Sequence, residues 1–237
     1  MSARVLAMAG FHDALAALSA RELVRRALAS VDLGGRVHVF GVGKAAAGMA
    51  QGVLDVVPGA SGFVVCKEGH LLSGLPGAIA QVTAAHPVPD VRSQVAAELL
   101  ARELAKVSAS DRVIFLLSGG ASALCASPIA DLLLAEKAQA ARVLMNGGAP
   151  IGALNLVRKH LSSVKGGRLA LVTRAPILAL VLSDVIGDDL SVIGGGLLSP
   201  DPSTFADAHG VCTGLPVSER VMRVLAEGAR GERPETP

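Results

Sequence analysis

The sequence predicts an α/β protein with a doubly wound, mostly parallel sheet and helices on both faces, Rossmann-like in outline. Three observations point there. Residues 113–117, VIFLL, are apolar without alternation, the mark of a strand covered on both sides by helices. Strand-like stretches alternate with helical ones along the chain, which favours parallel pairing through right-handed crossovers. Hydrophobic residues make up 51% of the 237 and charged residues 18%, with 27 Gly, many Ala and no Trp or Tyr, a composition suited to close helix-on-sheet packing.

Composition also excludes partners. The formal charge of +2 calls for neither nucleic acid nor an anionic membrane surface, and 2% aromatic residues leave no stacking platform for bases. The N-terminal MSARVLAMAGFHDALAALSA is interrupted by His12 and Asp13 before a signal-peptide core can form, so it reads as helix. The longest later apolar run, APILALVL, falls far short of the roughly 20 residues that span a bilayer. Cys66, Cys125 and Cys212 lack metal-ligand spacing and suit a reducing, cytoplasmic setting.

Taken in order, residues 1–35 read as an N-terminal packing helix, with Leu15, Leu18, Leu23, Val24 and Leu28 near helical spacing. A sheet domain is expected over residues 36–228. Its strands are RVHVF (36–40), SGFVVC (61–66), residues 79–84, the central run at 113–117 and residues 176–182. Between them fall helices at 45–57, from Pro89 to about residue 107, at 130–146 with Gly147-Gly148 as its stop, and one opened by Pro150. A helix over 217–227 closes the domain, and residues 229–237, polar with two prolines, read as a flexible tail.

This order collects the loops that carry chemistry along one sheet edge, outside the carboxyl ends of the strands. The first, Gly41-Val42-Gly43-Lys44, brings a cation and close-approaching backbone. The second, Ser118-Gly119-Gly120-Ala121-Ser122, offers backbone N–H groups, a helix start and two hydroxyls to an anion. Asp184, Asp188 and Asp189 in the third can hold Mg²⁺ or accept a proton from an alcohol, and His86 lies in a fourth, HPVPD. Arg158, Lys159 and Lys165 form either a solvated face or a clamp for carboxylate or phosphate. GVGKAAAG is not a Walker A loop, since Ala45 stands where Ser or Thr would bind Mg²⁺. It is compatible with a dinucleotide fingerprint, with Glu68 placed to bind a ribose, so a reductase competes with phosphoryl transfer.

The stretches GVGKAAAGMA, AAHPVPD, LLSGGASAL, GAPIGALNLVRKHLSSVKGGRLA, SDVIGDD and PDPSTFADA, in this order, resemble the N-terminal domain of the MOFRL-type glycerate 2-kinases, some of which are labelled hydroxypyruvate reductases. The resemblance covers residues 36–210. It implies phosphorylation of D-glycerate to 2-phosphoglycerate with ATP and Mg²⁺, in a cleft between two Rossmann-like domains. It makes Lys44 the active-site lysine, assigns Gly41, Gly43, Ser118, Gly119, Gly120 and Ser122 to the nucleotide, and places Mg²⁺ at Asp184 and Asp188. Glycerate then falls to His86, Asn155, Arg158 and Lys165. Two features depart from the family pattern. This chain stops near where the second domain's linker starts, which raises the expectation of a homodimer, of a separately encoded C-terminal domain, or of a non-catalytic half-enzyme. Gly194-Gly195-Gly196-Leu197-Leu198 replaces a Ser-Gly-Pro-Thr-like turn, so polar contacts are expected to be lost there. An NAD(P)H-dependent hydroxypyruvate reductase is the enzyme alternative.

Overall fold

A computed structural model describes residues 3–237. Its five strands, β1 (Val37–Val42), β2 (Ser61–Lys67), β3 (Ile79–Ala84), β4 (Arg112–Ser118) and β5 (Ile177–Leu182), form one parallel sheet in the order β3-β2-β1-β4-β5. The chain winds outward from β1 through β3, then restarts beside β1 with β4. The loops after β1 and β4 therefore part at the switch point of the sheet, where ligands bind in open α/β folds.

The period of two explains why β4 lacks alternation. Val113, Phe115 and Leu117 enter one core with Phe40, Phe63 and helix α4 (Val91–Ala105), while Ile114 and Leu116 enter another with helices α2 (Ala20–Leu28) and α3 (Ala46–Val56). Both faces are dry. A third cluster lies outside the sheet, where α6 (Leu134–Asn146), α7 (Ile151–His160), α8 (Phe205–Cys212) and α9 (Glu219–Ala229) close around Phe205. No helix among the described residues is long and apolar enough to cross a membrane.

Several expectations are corrected. The N-terminal packing helix divides into α1 (Ala3–Ala17) and α2, because Ser19 turns the chain and caps α2 by accepting a hydrogen bond from the Glu22 N–H. Leu15 and Leu18 stay exposed on the α1 side, whereas Val24 and Leu28 are buried. Helix α4 starts beyond Pro89, at Val91, with Asp90 as its cap. Helix α6 begins only at Leu134, after a turn in which Asp131 takes a φ of 72°. Helix α8 was not expected; its capping box, Thr204 with Asp207, is written in PSTFADA. The tail does not dangle. Arg233 bridges Glu227 at 2.6 Å and Asp131 at 2.8 Å, the Glu235 carboxylate accepts from the Phe205 N–H at 3.0 Å, and the Pro237 carbonyl accepts from the Asp201 N–H at 2.8 Å.

The third cluster depends on the close approach of α9 to α8 at Gly228, where an added Cβ would collide with the Phe205 ring. Gly228→Ala is expected to cost about 1–3 kcal/mol of stability, the usual range for overpacking. Urea denaturation checks this, and an unchanged midpoint would mean that the two helices do not pack as described.

Candidate active site

The loops after β1 and β4 are joined directly. The Lys44 N–H donates to the Gly119 carbonyl at 2.9 Å, and the Ala45 N–H donates to Ser118 Oγ at 3.0 Å. Ser118 is buried, and its hydroxyl oxygen brackets the two loops. Gly43, at φ 139°, touches Ser118 so closely that any Cβ would collide with it, and a Cβ at Gly41 would lie 2.8 Å from that of Leu116. His70 donates from Nδ1 to the Lys44 carbonyl at 3.1 Å and holds the loop from its other side. Helix α5 (Ala121–Leu124) has only four residues, so its dipole offers an anion less than a full helix would.

Three chemical groups surround the glycine pair. A Cβ placed on Gly120 (φ 88°) would lie 3.0 Å from His86 Cδ2 and 3.4 Å from Lys44 Cε; one placed on Gly119 would lie 2.7 Å from Asp184 Oδ2. The lysine and the imidazole thus lie beside Gly120 and the carboxylate beside Gly119, where a side chain on the glycine would crowd them. Lys44 is exposed and forms no ion pair among the described residues. Burial, reinforced by the positive charges of Lys44, Lys67 and His70, lowers the His86 pKa and favours its neutral, proton-accepting form. Asp184 is reached through β5, whose Leu182 is paired with Ser118.

Asp184 and Asp188 lie four residues apart on the loop that follows β5. Asp188 occupies a left-handed position at φ 51°, is exposed, and is held by its own N–H to the Val185 carbonyl at 3.1 Å. No group of three His, Cys, Asp or Glu among the described residues could hold a metal. Asp184 alone offers open carboxylate oxygens at the glycine turn, which fits Mg²⁺ as that ion is usually held, by one or two carboxylates together with phosphate and water.

Ser122 opens a second group of residues. Arg158 donates from Nη2 to Ser122 Oγ at 2.7 Å, and Lys165 Nζ donates to Ser122 Oγ and O at 3.1 Å each and to the Gly194 carbonyl at 2.9 Å. The glycine turn at 194–196 therefore does not simply lose polar contacts: Gly194 supplies an acceptor, and Gly195 leaves room for the lysine, since a Cβ there would approach Lys165 Cδ to 2.8 Å. Ser122, Arg158 and Lys165 line a cavity of about 220 Å³, together with Pro87, Leu154 and Lys137. Asn155, buried on α7, does not line it. Sequence reasoning missed Lys137, yet a signal existed, because Lys137, Ala140 and Leu144 share the inward face of α6. Elsewhere, burial pushes all three cysteine thiols up to about 11, so none is activated.

The family described as "Domain of unknown function (DUF4147)" matches residues 6–226. A protein of Agrobacterium vitis that carries a hydroxypyruvate reductase name is 40% identical over 82% of this chain and 45% of its own length. The glycerate 2-kinase of Pyrococcus horikoshii is 36% identical over 86% of this chain and 47% of its own length. The crystal structure of a glycerate kinase from Thermotoga maritima superposes with a TM-score of 0.86 at 37% identity, covering 95% of this chain and 54% of that one. The chain spans about half the length of the curated relatives it matches.

Lys165 yields a pH prediction. Burial, with the Arg158 charge second, pushes its pKa down to about 7. An unfolded lysine titrates near pH 10.4, so between these values the unfolded chain binds more protons and stability rises with pH. Relative to Lys165→Met, the wild-type protein should gain stability from pH 7 to pH 10, by at most about 1.4 kcal/mol per pH unit. Chemical denaturation across that range checks the slope, and a flat difference would contradict the burial of a titrating ammonium.

Proposed function

Because this chain belongs to the DUF4147 family, the N-terminal domain of the MOFRL-type glycerate 2-kinases, we propose that it phosphorylates D-glycerate to 2-phosphoglycerate at the Gly119–Gly120 turn, with ATP as donor and Mg²⁺ as metal. The observation that carries the reading is the convergence of Lys44, His86 and Asp184 on that turn. Phosphoryl transfer asks of a protein mainly position and charge neutralisation, and this set offers both. In the proposed arrangement the glycerate carboxylate is received by a basic group among Lys44, Arg158 and Lys165. Neutral His86 accepts the hydrogen of the 2-hydroxyl. Lys44 stabilises charge developing on the transferred group, in a loop fixed before substrate arrives. Asp184 would hold Mg²⁺, whose chemistry is to neutralise phosphate oxygens.

The reductase alternative has less support. A dinucleotide fingerprint seats pyrophosphate on free N–H groups at a helix start. Here the Ala45 N–H donates to Ser118 Oγ, that of Ala46 to the Gly43 carbonyl, and that of Ala47 to the Cys66 sulfur. Glu68, the candidate ribose acid, is 80% exposed and lies 3.6 Å from Arg92. The buried, unpaired cysteines fit a reducing, cytoplasmic setting. A second copy or a separately encoded domain would have a natural seat at edge strand β5, most of whose apolar residues are only partly buried.

The test is product formation from D-glycerate, ATP and Mg²⁺ by the purified chain, with hydroxypyruvate and NAD(P)H run in parallel. Lys44→Ala should lower turnover about 10²–10³-fold, the scale of losing one charge-stabilising group, with the circular dichroism spectrum unchanged. Retained turnover would remove Lys44 from the chemistry, and nicotinamide oxidation without phosphorylation would favour the reductase.

A further inference from the structure

The fold contains two kinds of buried lysine. Lys159, 7% exposed, faces the Asp201 carboxylate at 3.2 Å, an ordinary internal ion pair. Lys137 and Lys165, 6% and 1% exposed, have no carboxylate partner among the described residues, and half-buried Arg158 joins them without one. A desolvated cation without a counter-charge is costly, and three together repel one another. Charges that a fold leaves unpaired in this way, all lining one cavity, are matched to an anion that arrives from outside.

The hydrogen bonds indicate how that anion is met. Lys165 Nζ is saturated by Ser122 O, Ser122 Oγ and the Gly194 carbonyl, so it contributes charge and fixes Ser122. Ser122 Oγ accepts from both Lys165 and Arg158, which leaves its own hydrogen to donate. Lys137 has a single acceptor, the Ser127 carbonyl at 3.3 Å, and so retains two ammonium hydrogens. Arg158 commits one N–H to Ser122 and keeps the rest of its fork. Exposed Arg142 adds a fourth cation at the mouth, and apolar Val88 and Met145 form the outer wall.

We propose that this cavity is the seat of a phosphate chain, in which Lys137, Arg158 and the Ser122 hydroxyl contact a di- or triphosphate, Lys165 supplies charge behind them, and Arg142 guards the entrance. Burial favours the neutral forms of Lys137 and Lys165 in the free protein, and a bound anion of several charges draws both toward the protonated form; with Arg158 that set exceeds what one carboxylate balances, and a polyphosphate matches it. The proposal rests on the phosphotransfer reading and refines it. The donor enters beside Ser122 and its terminal phosphate reaches Gly120, two residues away, which leaves the glycerate carboxylate to Lys44.

Isothermal titration at fixed ionic strength, with inorganic tripolyphosphate, ATP, sulfate and D-glycerate as separate probes, tests it. Lys137→Met should weaken tripolyphosphate at least tenfold and leave D-glycerate within twofold, while Lys137→Arg keeps tripolyphosphate within about threefold of wild type. Because Lys137→Met removes a buried amine whose protonation burial opposes, it should melt no lower than wild type without ligand; Arg142→Gln, at the surface, gives a second and smaller loss of tripolyphosphate that does not depend on the core. ATP binding more tightly than tripolyphosphate would assign the apolar wall to a nucleoside, and equal affinities would assign the seat to the phosphates alone. Tripolyphosphate affinity unchanged within twofold in folded Lys137→Met, or sulfate binding as tightly as tripolyphosphate, overturns the proposal. Tripolyphosphate binding through Lys137 without any phosphorylation of glycerate would uphold the seat and refute the kinase reading; turnover in which Lys137→Met raises KM for glycerate and not for ATP would do the reverse.

Discussion

The structure turns on the clasp between the loops that leave β1 and β4. Two hydrogen bonds, from the Lys44 N–H to the Gly119 carbonyl and from the Ala45 N–H to Ser118 Oγ, tie the loops where the sheet changes direction. The neighbouring requirements follow from it. Gly43 must lack a Cβ because Ser118 occupies that space, and β1 and β4 must be adjacent, in the register that sets Val42 beside Leu117. Lys44 is then held at its own backbone, with its side chain brought to Gly120 and His86. A cation mounted this way needs little reorganisation when charge develops nearby.

Electrostatics divides the rest of the protein. Away from the site several buried or half-buried charges are paired: Lys159 with Asp201, Arg233 with Glu227 and Asp131, His38 with Asp111 at the opposite end of the sheet. Around Gly120 and Ser122 they are not. Five basic side chains, Lys44, Lys137, Arg142, Arg158 and Lys165, gather there with His86, and none forms an ion pair among the described residues. The glycines at 194–196, each at positive φ, belong to this imbalance, since they let Lys165 sink into the protein and still find acceptors. The fold thus holds unbalanced positive charge in one place, which suits a substrate pair rich in phosphate and carboxylate.

Much of this was legible in the sequence, for identifiable reasons. The strands declared themselves because burial on both faces demands unbroken apolar runs, and the glycine loops because close backbone approach admits no side chain. What failed depended on partners distant in sequence. Nothing local reveals that the Ser118 hydroxyl oxygen accepts from the Ala45 N–H, 73 residues away. The polar composition of residues 229–237 suggested disorder, yet Arg233 and Glu235 find partners on three other segments. Lys137 was hidden by an alanine-rich helix in which a lysine ordinarily faces water. Nothing in the sequence announces the left-handed backbone of Asp188, which its N–H fixes on the Val185 carbonyl.

The clasp can be measured without any assay of turnover. Amide hydrogen exchange at Lys44 and Ala45, compared between wild type and Ser118→Ala, reports whether the Ser118 hydroxyl holds the β1 loop in place. Exchange at both amides should accelerate by an order of magnitude or more in the variant while the strand amides of β1 stay protected, the pattern of local opening. Unchanged exchange at Ala45 would show that the loop stands without Ser118, and the position of Lys44 would then need another cause.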